Sequence, residues 1–319
     1  MQHERQAGVE RPRRQCATAA FMVRPATFFA NPETAASNRF QHTPSAAVAT
    51  ILARAVDEFD DLERALRTAG VETFVFDDRA EPRCPDAVFP NNWVTLHGDG
   101  TVVLYPMLAP SRRRERRMDL LVDLVRRGGF RVSRLVDLTH HEFEDRFLEG
   151  TGSVVFDHVE RLAYACVSPR TDPRVLDELA AELGYVPVLF HACDRSGVPV
   201  YHTNVLLSIG LRSAIVCVEA IAAPDRARVL DRIAATGRDI VAVDQQGMAD
   251  FACNALEFET ADGSTVLAMS QRAFDGMASG ARRALERSVS RIVTSPIPTI
   301  EECGGGSVRC MLAEVFLPR

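Results

Sequence analysis

Apolar and polar residues follow a repeating pattern along the chain. A short apolar stretch is followed by a polar turn, a segment with apolar residues every three or four positions, and another apolar stretch. Such spacing predicts buried strands that flank amphipathic helices. The five predicted strand–helix–strand units cover 20–23, 44–69 and 73–76; 102–105, 113–127 and 131–135; 162–167, 173–183 and 187–190; 213–218, 224–235 and 240–243; and 265–269, 273–287 and 290–294.

Further strand–turn segments lie between these units, at 88–96, 150–156, 203–211 and 253–259. Similar units that cannot bury their apolar faces alone favour one closed, pseudo-symmetric α/β domain. An open doubly wound sheet is the alternative, but it predicts a glycine-rich dinucleotide loop after the first strand, and none follows 20–23. We therefore expect a flexible N-terminal leader at 1–15, which is polar and rich in arginine, and one domain at 16–319.

The composition excludes several classes of function. The chain has 319 residues and 37 basic residues, all of them arginine, so lysine Schiff bases and the P-loop lysine are excluded. A net charge of -6 is not typical of nucleic-acid-binding domains. The longest apolar stretches are too short to span a membrane. We expect neither nucleic acid nor membrane as a partner, and the oligomeric state stays open, a homo-oligomer included.

The cysteines indicate reduced thiols. There are 8, without any C-x-x-C pair, and several lie in apolar runs such as 165–167 and 216–218. This distribution is typical of a cytoplasmic protein and disfavours both a disulfide framework and a zinc site. The adjacent His140 and His141, with acidic residues after them, lack the spacing of a metal-binding helix. We expect no metal and no cofactor.

Two segments carry candidate catalytic groups. Cys310 follows the triplet Gly304-Gly305-Gly306, which allows close backbone approach to a ligand, although a buried structural cysteine is the alternative for Cys310 alone. His202 lies among polar residues at the start of an apolar run, whereas most single histidines are structural.

Two further segments complete a candidate set. Glu149 lies between apolar residues and paired glycines, where a solvent-facing turn acid is equally compatible. Asn92 lies in a Pro-Asn-Asn-Trp segment that is also compatible with a simple turn. A cysteine, a histidine and a glutamate together supply a nucleophile, a general acid/base and a supporting carboxylate.

The chain resembles the guanidine-modifying (pentein) superfamily, which includes arginine deiminase, dimethylarginine hydrolase, succinylarginine dihydrolase and the amidinotransferases. The motifs that carry this resemblance, in chain order, are Met-Val-Arg-Pro at 22–25, Asp-Ala-Val-Phe at 86–89, Ala-Pro-Ser-Arg at 109–112, Leu-Glu-Gly at 148–150, Ser-Pro-Arg-Thr at 168–171 and the glycine-rich approach to Cys310. The resemblance implies a five-bladed α/β propeller. It also implies roles for five residues, with Cys310 as nucleophile, His202 as general acid/base, Glu149 as its support, and Arg112 and Arg170 binding the substrate carboxylate.

Two departures from the superfamily pattern bear on the substrate. Arginine-acting members have aspartates where this chain has Asn92 and Asn204. An amide offers both a donor and an acceptor, which suits a neutral ureido group. Burial of a charged guanidinium against neutral amides would instead cost several kcal/mol of lost charge pairing. The chain resembles the citrulline-utilisation hydrolases (CtlX type, citrullinase) in Pro-Asn-Asn-Trp at 90–93, Glu-Gly-Thr-Gly-Ser at 149–153 and Met-Val-Arg-Pro at 22–25.

The resemblance implies hydrolysis of citrulline to ornithine, carbon dioxide and ammonia through a thiocarbamoyl intermediate on Cys310. Two alternatives stay open. The first is a hydrolase or amidinotransferase for arginine, dimethylarginine or succinylarginine, and the second is a non-catalytic binding module. The expected ligand is a small amino acid in each case.

Overall fold

The computed structural model describes residues 14–319, which form an α/β fold. The strands are β1 Ala19–Arg24, β2 Glu72–Asp77, β3 Val94–Leu96, β4 Thr101–Leu104, β5 Arg134–Asp137, β6 Val155–Asp157, β7 Leu162–Cys166, β8 Val186–Phe190, β9 Leu207–Ile209, β10 Ser213–Cys217, β11 Asp239–Val243, β12 Leu256–Glu259, β13 Thr265–Ser270, β14 Arg291–Ser295 and β15 Ala313–Val315. The α-helices are α1 Val48–Thr68, α2 Pro110–Arg113, α3 Met118–Gly128, α4 Gly150–Ser153, α5 Pro173–Leu183, α6 Ala223–Ala234, α7 Gln245–Ala249, α8 Gln271–Gly276, α9 Ser279–Ser288 and α10 Pro298–Gly304.

The strand pairing repeats one three-stranded unit. In each unit a short first strand runs antiparallel to the second strand, which is parallel to a third strand reached through helix. The units are β3–β4–β5, β6–β7–β8, β9–β10–β11, β12–β13–β14 and β15–β1–β2. The last unit combines the two ends of the described chain. It also pairs with β3, so that two units share a six-stranded sheet.

Helix α1 shows why the apolar spacing predicts these elements. Its buried side chains recur every three or four positions and form one stripe. They are Ile51, Ala55, Phe59, Leu62 and Leu66. Full burial of each large apolar side chain contributes about 1.5–3 kcal/mol, so the stripe attaches the helix to the sheet. Helix α5 begins as its Asp-Pro pair predicts, because the Asp172 carboxylate accepts hydrogen bonds from the backbone N–H groups of Arg174 and Val175.

Two predicted helices are each interrupted once. In place of the helix expected at 113–127, the short α2 ends at Arg113 and α3 begins at Met118. Between them lies buried Glu115, which forms an ion pair with buried Arg112. The helix expected at 273–287 is divided into α8 and α9, because α8 ends at Gly276 and Met277 adopts an extended conformation. Apolar spacing continues across both breaks and does not reveal them.

The predicted leader lies mostly outside the described residues, but Gln15 is described and is buried. Its side-chain amide donates to the carbonyls of Phe156 and Ile209 and accepts from the backbone N–H of His158. The described structure thus includes the end of the predicted leader in the packed interior.

The cysteines of residues 14–319 are all free thiols, and only Cys193 is partly exposed. Within the same residues, no helix combines the length and apolar character needed to cross a bilayer.

Candidate active site

Each three-stranded unit is preceded by a short segment that carries chemically active side chains, two to six residues before its first strand. In the order β3, β6, β9, β12 and β15, these side chains are Asn92, Glu149, His202 with Asn204, Asn254, and Cys310. Every one of them is at most 5% exposed. The repeat therefore gives five segments that are distant in sequence the same place in their units, where a common site can form.

Cys310 lies in a one-turn helix at Val308–Met311 that follows the glycine triplet. Gly305 ends α10 with a φ of 62°, a left-handed conformation that favours glycine. The Sγ atom of Cys310 lies 3.3 Å from Nδ2 of Asn254 and 3.5 Å from Nδ2 of Asn204. Two amide groups thus donate toward the candidate nucleophile.

His202 and Glu149 form a buried pair. Nε2 of His202 lies 2.9 Å from Oε2 of Glu149. The same oxygen accepts from Nη1 of Arg170 at 3.2 Å, and Oε1 accepts from the backbone N–H of Leu108 at 3.1 Å. The carboxylate is therefore fixed from several directions and orients the imidazole ring.

The electrostatics assign a protonation state to this pair. Burial alone raises the pKa of Glu149, but the charge of Arg170, the hydrogen bond from His202 and the charge of Arg112 together bring it well below its ordinary value. Burial lowers the pKa of His202 to about 4, although Glu149 acts in the opposite direction. At neutral pH Glu149 is ionised and His202 is neutral. Since a carboxylate only accepts, the ring proton lies on Nε2, and Nδ1 is the basic nitrogen.

Gly152 permits the close approach of this histidine. A Cβ atom at Gly152 would lie 2.7 Å from Nδ1 of His202 and 2.4 Å from Nδ2 of Asn92. Only a residue without a side chain leaves both groups in place.

Asn92 and Arg112 are bonded to each other. Nη1 of Arg112 donates to Oδ1 of Asn92 at 2.8 Å, and Nδ2 of Asn92 donates to the backbone carbonyl of Glu149 at 3.4 Å. Arg112 also forms an ion pair with Glu115 at 3.0 Å and lies 3.7 Å from Asp86. Both ends of the Asn92 amide thus have protein partners, and Arg112 lies in a buried network of carboxylates.

Arg170 connects Glu149 with the segment 31–42, a turn-rich stretch before α1. Its Nη2 donates to Oγ of Ser37 at 2.7 Å, and its guanidinium lies 5.0 Å from the ring centre of Tyr201. The hydroxyl of Tyr201 in turn donates to the carbonyl of Gly305 at 2.7 Å. These contacts join the histidine turn, the glycine triplet and the segment 31–42 around Cys310.

The sequence leaves open the roles of three residues, Arg24, Asn31 and Asn38. The structure shows what each of them contacts. Nδ2 of Asn31 donates to Asp86 at 2.7 Å, and Nδ2 of Asn38 donates to the carbonyl of Gly304 at 3.0 Å. Both asparagines attach the segment 31–42 to the site. Arg24 instead forms a bidentate ion pair with Asp60. The polar segment 140–147 is also compatible with an active-site lid, which stays a prediction.

One group of residues within 14–319 has the composition of a metal site. Ligand atoms of His140, His141 and Glu178 lie within 4.8 Å of one another. None of the predicted catalytic or substrate-binding residues belongs to this group, and His140 and Glu178 are exposed.

A family model described as N,N dimethylarginine dimethylhydrolase, eukaryotic, matches residues 24–317. The chain belongs to this dimethylarginine hydrolase family. The family lies within the guanidine-modifying superfamily, so the resemblance noted from the motifs is confirmed at that level. Its members are hydrolases with a cysteine nucleophile, and this chain is therefore a hydrolase of non-peptide C–N bonds. A comparison with curated protein sequences finds no match.

Solved structures with the same fold include enzymes for arginine and its analogues. The N-terminal domain of ArgZ, an arginine dihydrolase of the ornithine–ammonia cycle in cyanobacteria, is 18% identical with a TM-score of 0.71, over 93% of this chain and 97% of that domain. An AgrE variant bound to L-arginine is 17% identical with a TM-score of 0.72, over 93% of this chain and 40% of that chain. A dimethylarginine dimethylaminohydrolase adduct with S-methyl-L-thiocitrulline is 15% identical with a TM-score of 0.63, over 93% of this chain and 99% of that chain.

In this dimethylarginine hydrolase family member, the predicted Cys310, His202, Glu149 and Asn204 lie around one buried region, together with Arg170. The sequence interpretation missed Asn254, although it identified the segment 253–259. The signal was available in the repeat, because Asn254 lies two residues before its strand, as Asn92 does before β3.

Proposed function

We propose that this protein hydrolyses the guanidino group of arginine or of a close arginine derivative. The observation that carries the proposal is the arrangement of Cys310 between two amide donors, beside a His202–Glu149 pair, in a chain of the dimethylarginine hydrolase family. Structural neighbours that act on arginine or carry an arginine-analogue adduct give further support.

The proposed reaction proceeds through a covalent intermediate. Nδ1 of His202 takes the thiol proton of Cys310, and the resulting thiolate attacks the guanidino carbon. His202 then gives this proton to the nitrogen that leaves as ammonia or an alkylamine when its C–N bond breaks. A water molecule, deprotonated by His202, then attacks the amidino–cysteine carbon. The C–S bond breaks, which releases a ureido product, and His202 returns its proton to the sulfur, so that the thiol and the neutral imidazole are restored. Glu149 orients His202 and stabilises its protonated form during both proton transfers.

The ureido group of citrulline is a second candidate substrate, because the hydrogen bonds to Sγ come from neutral amides rather than from carboxylates. An amide offers both a donor and an acceptor to a ureido group. Attack on citrulline would expel ornithine and leave a thiocarbamoyl group on Cys310. Hydrolysis of that group gives carbon dioxide and ammonia. A chain that performs both reactions in sequence would act as a dihydrolase.

We also infer that the five units close into a five-bladed propeller around this site. The support is the position of the site residues, since each unit contributes its polar or thiol side chains from the segment that precedes its first strand. A propeller places those turns at one end of a central axis.

Separate incubation with arginine, dimethylarginine, succinylarginine and citrulline tests the proposal. We expect a guanidino compound to release ammonia or an alkylamine with wild-type protein and not with Cys310→Ala. Release of ornithine from citrulline, with no reaction of the three guanidino compounds, would replace the guanidino assignment by the ureido one. Inertness toward all four compounds would contradict the proposed function.

A further inference from the structure

Asn254 has a fixed amide orientation that does not depend on the thiol. Its Nδ2 atom donates to the backbone carbonyl of Asn204 at 3.3 Å and points to Sγ of Cys310 at 3.3 Å. Because a backbone carbonyl only accepts, the nitrogen of Asn254 must face it. The amide therefore presents an N–H to the sulfur.

The oxygen ends of two amides beside Cys310 have no protein partner. Among the described residues, Oδ1 of Asn204 and Oδ1 of Asn254 are buried atoms without a hydrogen bond. Both side chains are 1% exposed. A buried acceptor without a partner loses about 1–3 kcal/mol relative to one that is satisfied, so two such acceptors beside one nucleophile indicate a place for a donor-rich ligand.

We propose that Asn254 is a catalytic residue that acts with Asn204 as an amide clamp. Each Nδ2 donates to the thiolate of Cys310, and each Oδ1 accepts an N–H from the substrate group under attack. This inference deepens the proposed function and rests on it for the identity of the substrate. Guanidino and ureido groups both carry N–H donors on the nitrogens attached to the reacting carbon, so the clamp recognises the features they share.

The clamp also explains how the site can bind these substrates although the groups bonded to Sγ of Cys310 are amides rather than carboxylates. Glu149 is occupied by His202, Arg170 and Leu108, and the Asn92 amide is occupied by Arg112 and Glu149. Asn204 and Asn254 are the asparagines that contact Sγ and keep an oxygen available.

Alkylation of Cys310 by iodoacetamide tests the donor half without any substrate. We expect Asn254→Asp, which keeps the shape and removes the N–H, to slow alkylation of the Cys310 peptide about tenfold or more at neutral pH, since charge-assisted hydrogen bonds are the strong ones. At higher pH, the alkylation rate of Asn254→Asp protein should return toward the wild-type rate. Asn91→Asp is the matched control, because Asn91 is buried in a neighbouring turn and bonds Thr151 instead. We expect Asn91→Asp to leave the alkylation rate of Cys310 unchanged.

Binding of arginine and of citrulline to Cys310→Ser protein tests the acceptor half. Addition of Asn254→Leu, which removes both amide ends, should weaken binding about tenfold, and Asn254→Asp should retain binding of arginine. Wild-type alkylation rates in folded Asn254→Asp and Asn254→Leu would overturn the clamp. Unchanged binding in Cys310→Ser with Asn254→Leu would also overturn it. Slowed alkylation in a protein that turns over none of the four compounds would contradict the proposed function while supporting the donation to Cys310.

Discussion

The carboxylate of Glu149 lies 2.9 Å from Nε2 of His202, and both side chains are almost completely buried. A buried histidine beside an ionised carboxylate keeps its proton on the nitrogen that faces the carboxylate. The opposite nitrogen, Nδ1, is thereby available to the reacting groups. This relationship determines how the site can transfer protons.

Replacement of Glu149 by glutamine should lower kcat about 100-fold or more, because general acid–base catalysis depends on the orientation and charge that Glu149 supplies. Steady-state kinetics would measure the loss, with whichever of the four compounds the wild-type protein turns over. Glu178→Gln is a matched control, since Glu178 forms the same kind of pair with His141 at 2.8 Å outside the site. Equal kcat values in the two variants would contradict the role of Glu149.

The ring of His202 should titrate near pH 4, since burial brings its pKa to about 4. In NMR spectra its signal should stay unchanged between pH 8 and about 5.5, and a His202→Gln spectrum would assign it. The unfolded chain takes up this proton near pH 6.5, whereas the folded protein does not. The free energy of unfolding should therefore decrease as the pH falls from about 6.5 to 4, by up to about 3 kcal/mol from this residue. A midpoint near pH 6.5 would refute the assignment.

Gly152→Ala should reduce activity strongly. The added methyl group would approach Asn92 and the His202 ring within 2.4 and 2.7 Å, so one of them must move. We expect kcat to fall at least about 100-fold, as for small misplacements of a catalytic group. Gly280→Ala in α9 is the control, because a Cβ atom there meets nothing within 4 Å and activity should persist. Full activity of Gly152→Ala would show that the close approach is unimportant.

Arg170→Lys separates two roles of this arginine. If Arg170 binds the substrate carboxylate through its planar fork, lysine should raise KM strongly. Its contact with Glu149 at 3.2 Å predicts an additional decrease in kcat. We expect both changes together in steady-state kinetics. A lower kcat with an unchanged KM would remove Arg170 from substrate binding and leave it as a positioning residue for Glu149.

The sequence was sufficient to predict the strand–helix–strand units because apolar spacing reflects which faces are buried. It did not reveal the interruptions within 113–127 and 273–287, since these depend on a buried ion pair and on a local change of backbone conformation. The α/β class and the hydrolase chemistry of the superfamily are confirmed. Citrulline as the substrate stays a prediction that the related structures support less than a guanidino compound.

For the site, Cys310, His202 and Glu149 could be predicted from glycine-rich turns and from the motifs. Asn254 could not be chosen from its surroundings alone, because a single asparagine in a turn is ordinary. Its role becomes visible only when the turn is compared with the equivalent turns of the other units. The contact between Arg170 and Ser37 joins residues that are 133 positions apart, and no local pattern encodes it.

Mass spectrometry of protein quenched in acid during turnover tests the central claim most directly. We predict a substrate-derived adduct on the peptide that contains Cys310, and no turnover in Cys310→Ser. Cys303→Ser, which changes another buried free thiol nearby in sequence, should keep both adduct and turnover. Turnover by Cys310→Ser, or an adduct on a different cysteine, would contradict the assignment of Cys310 as the nucleophile.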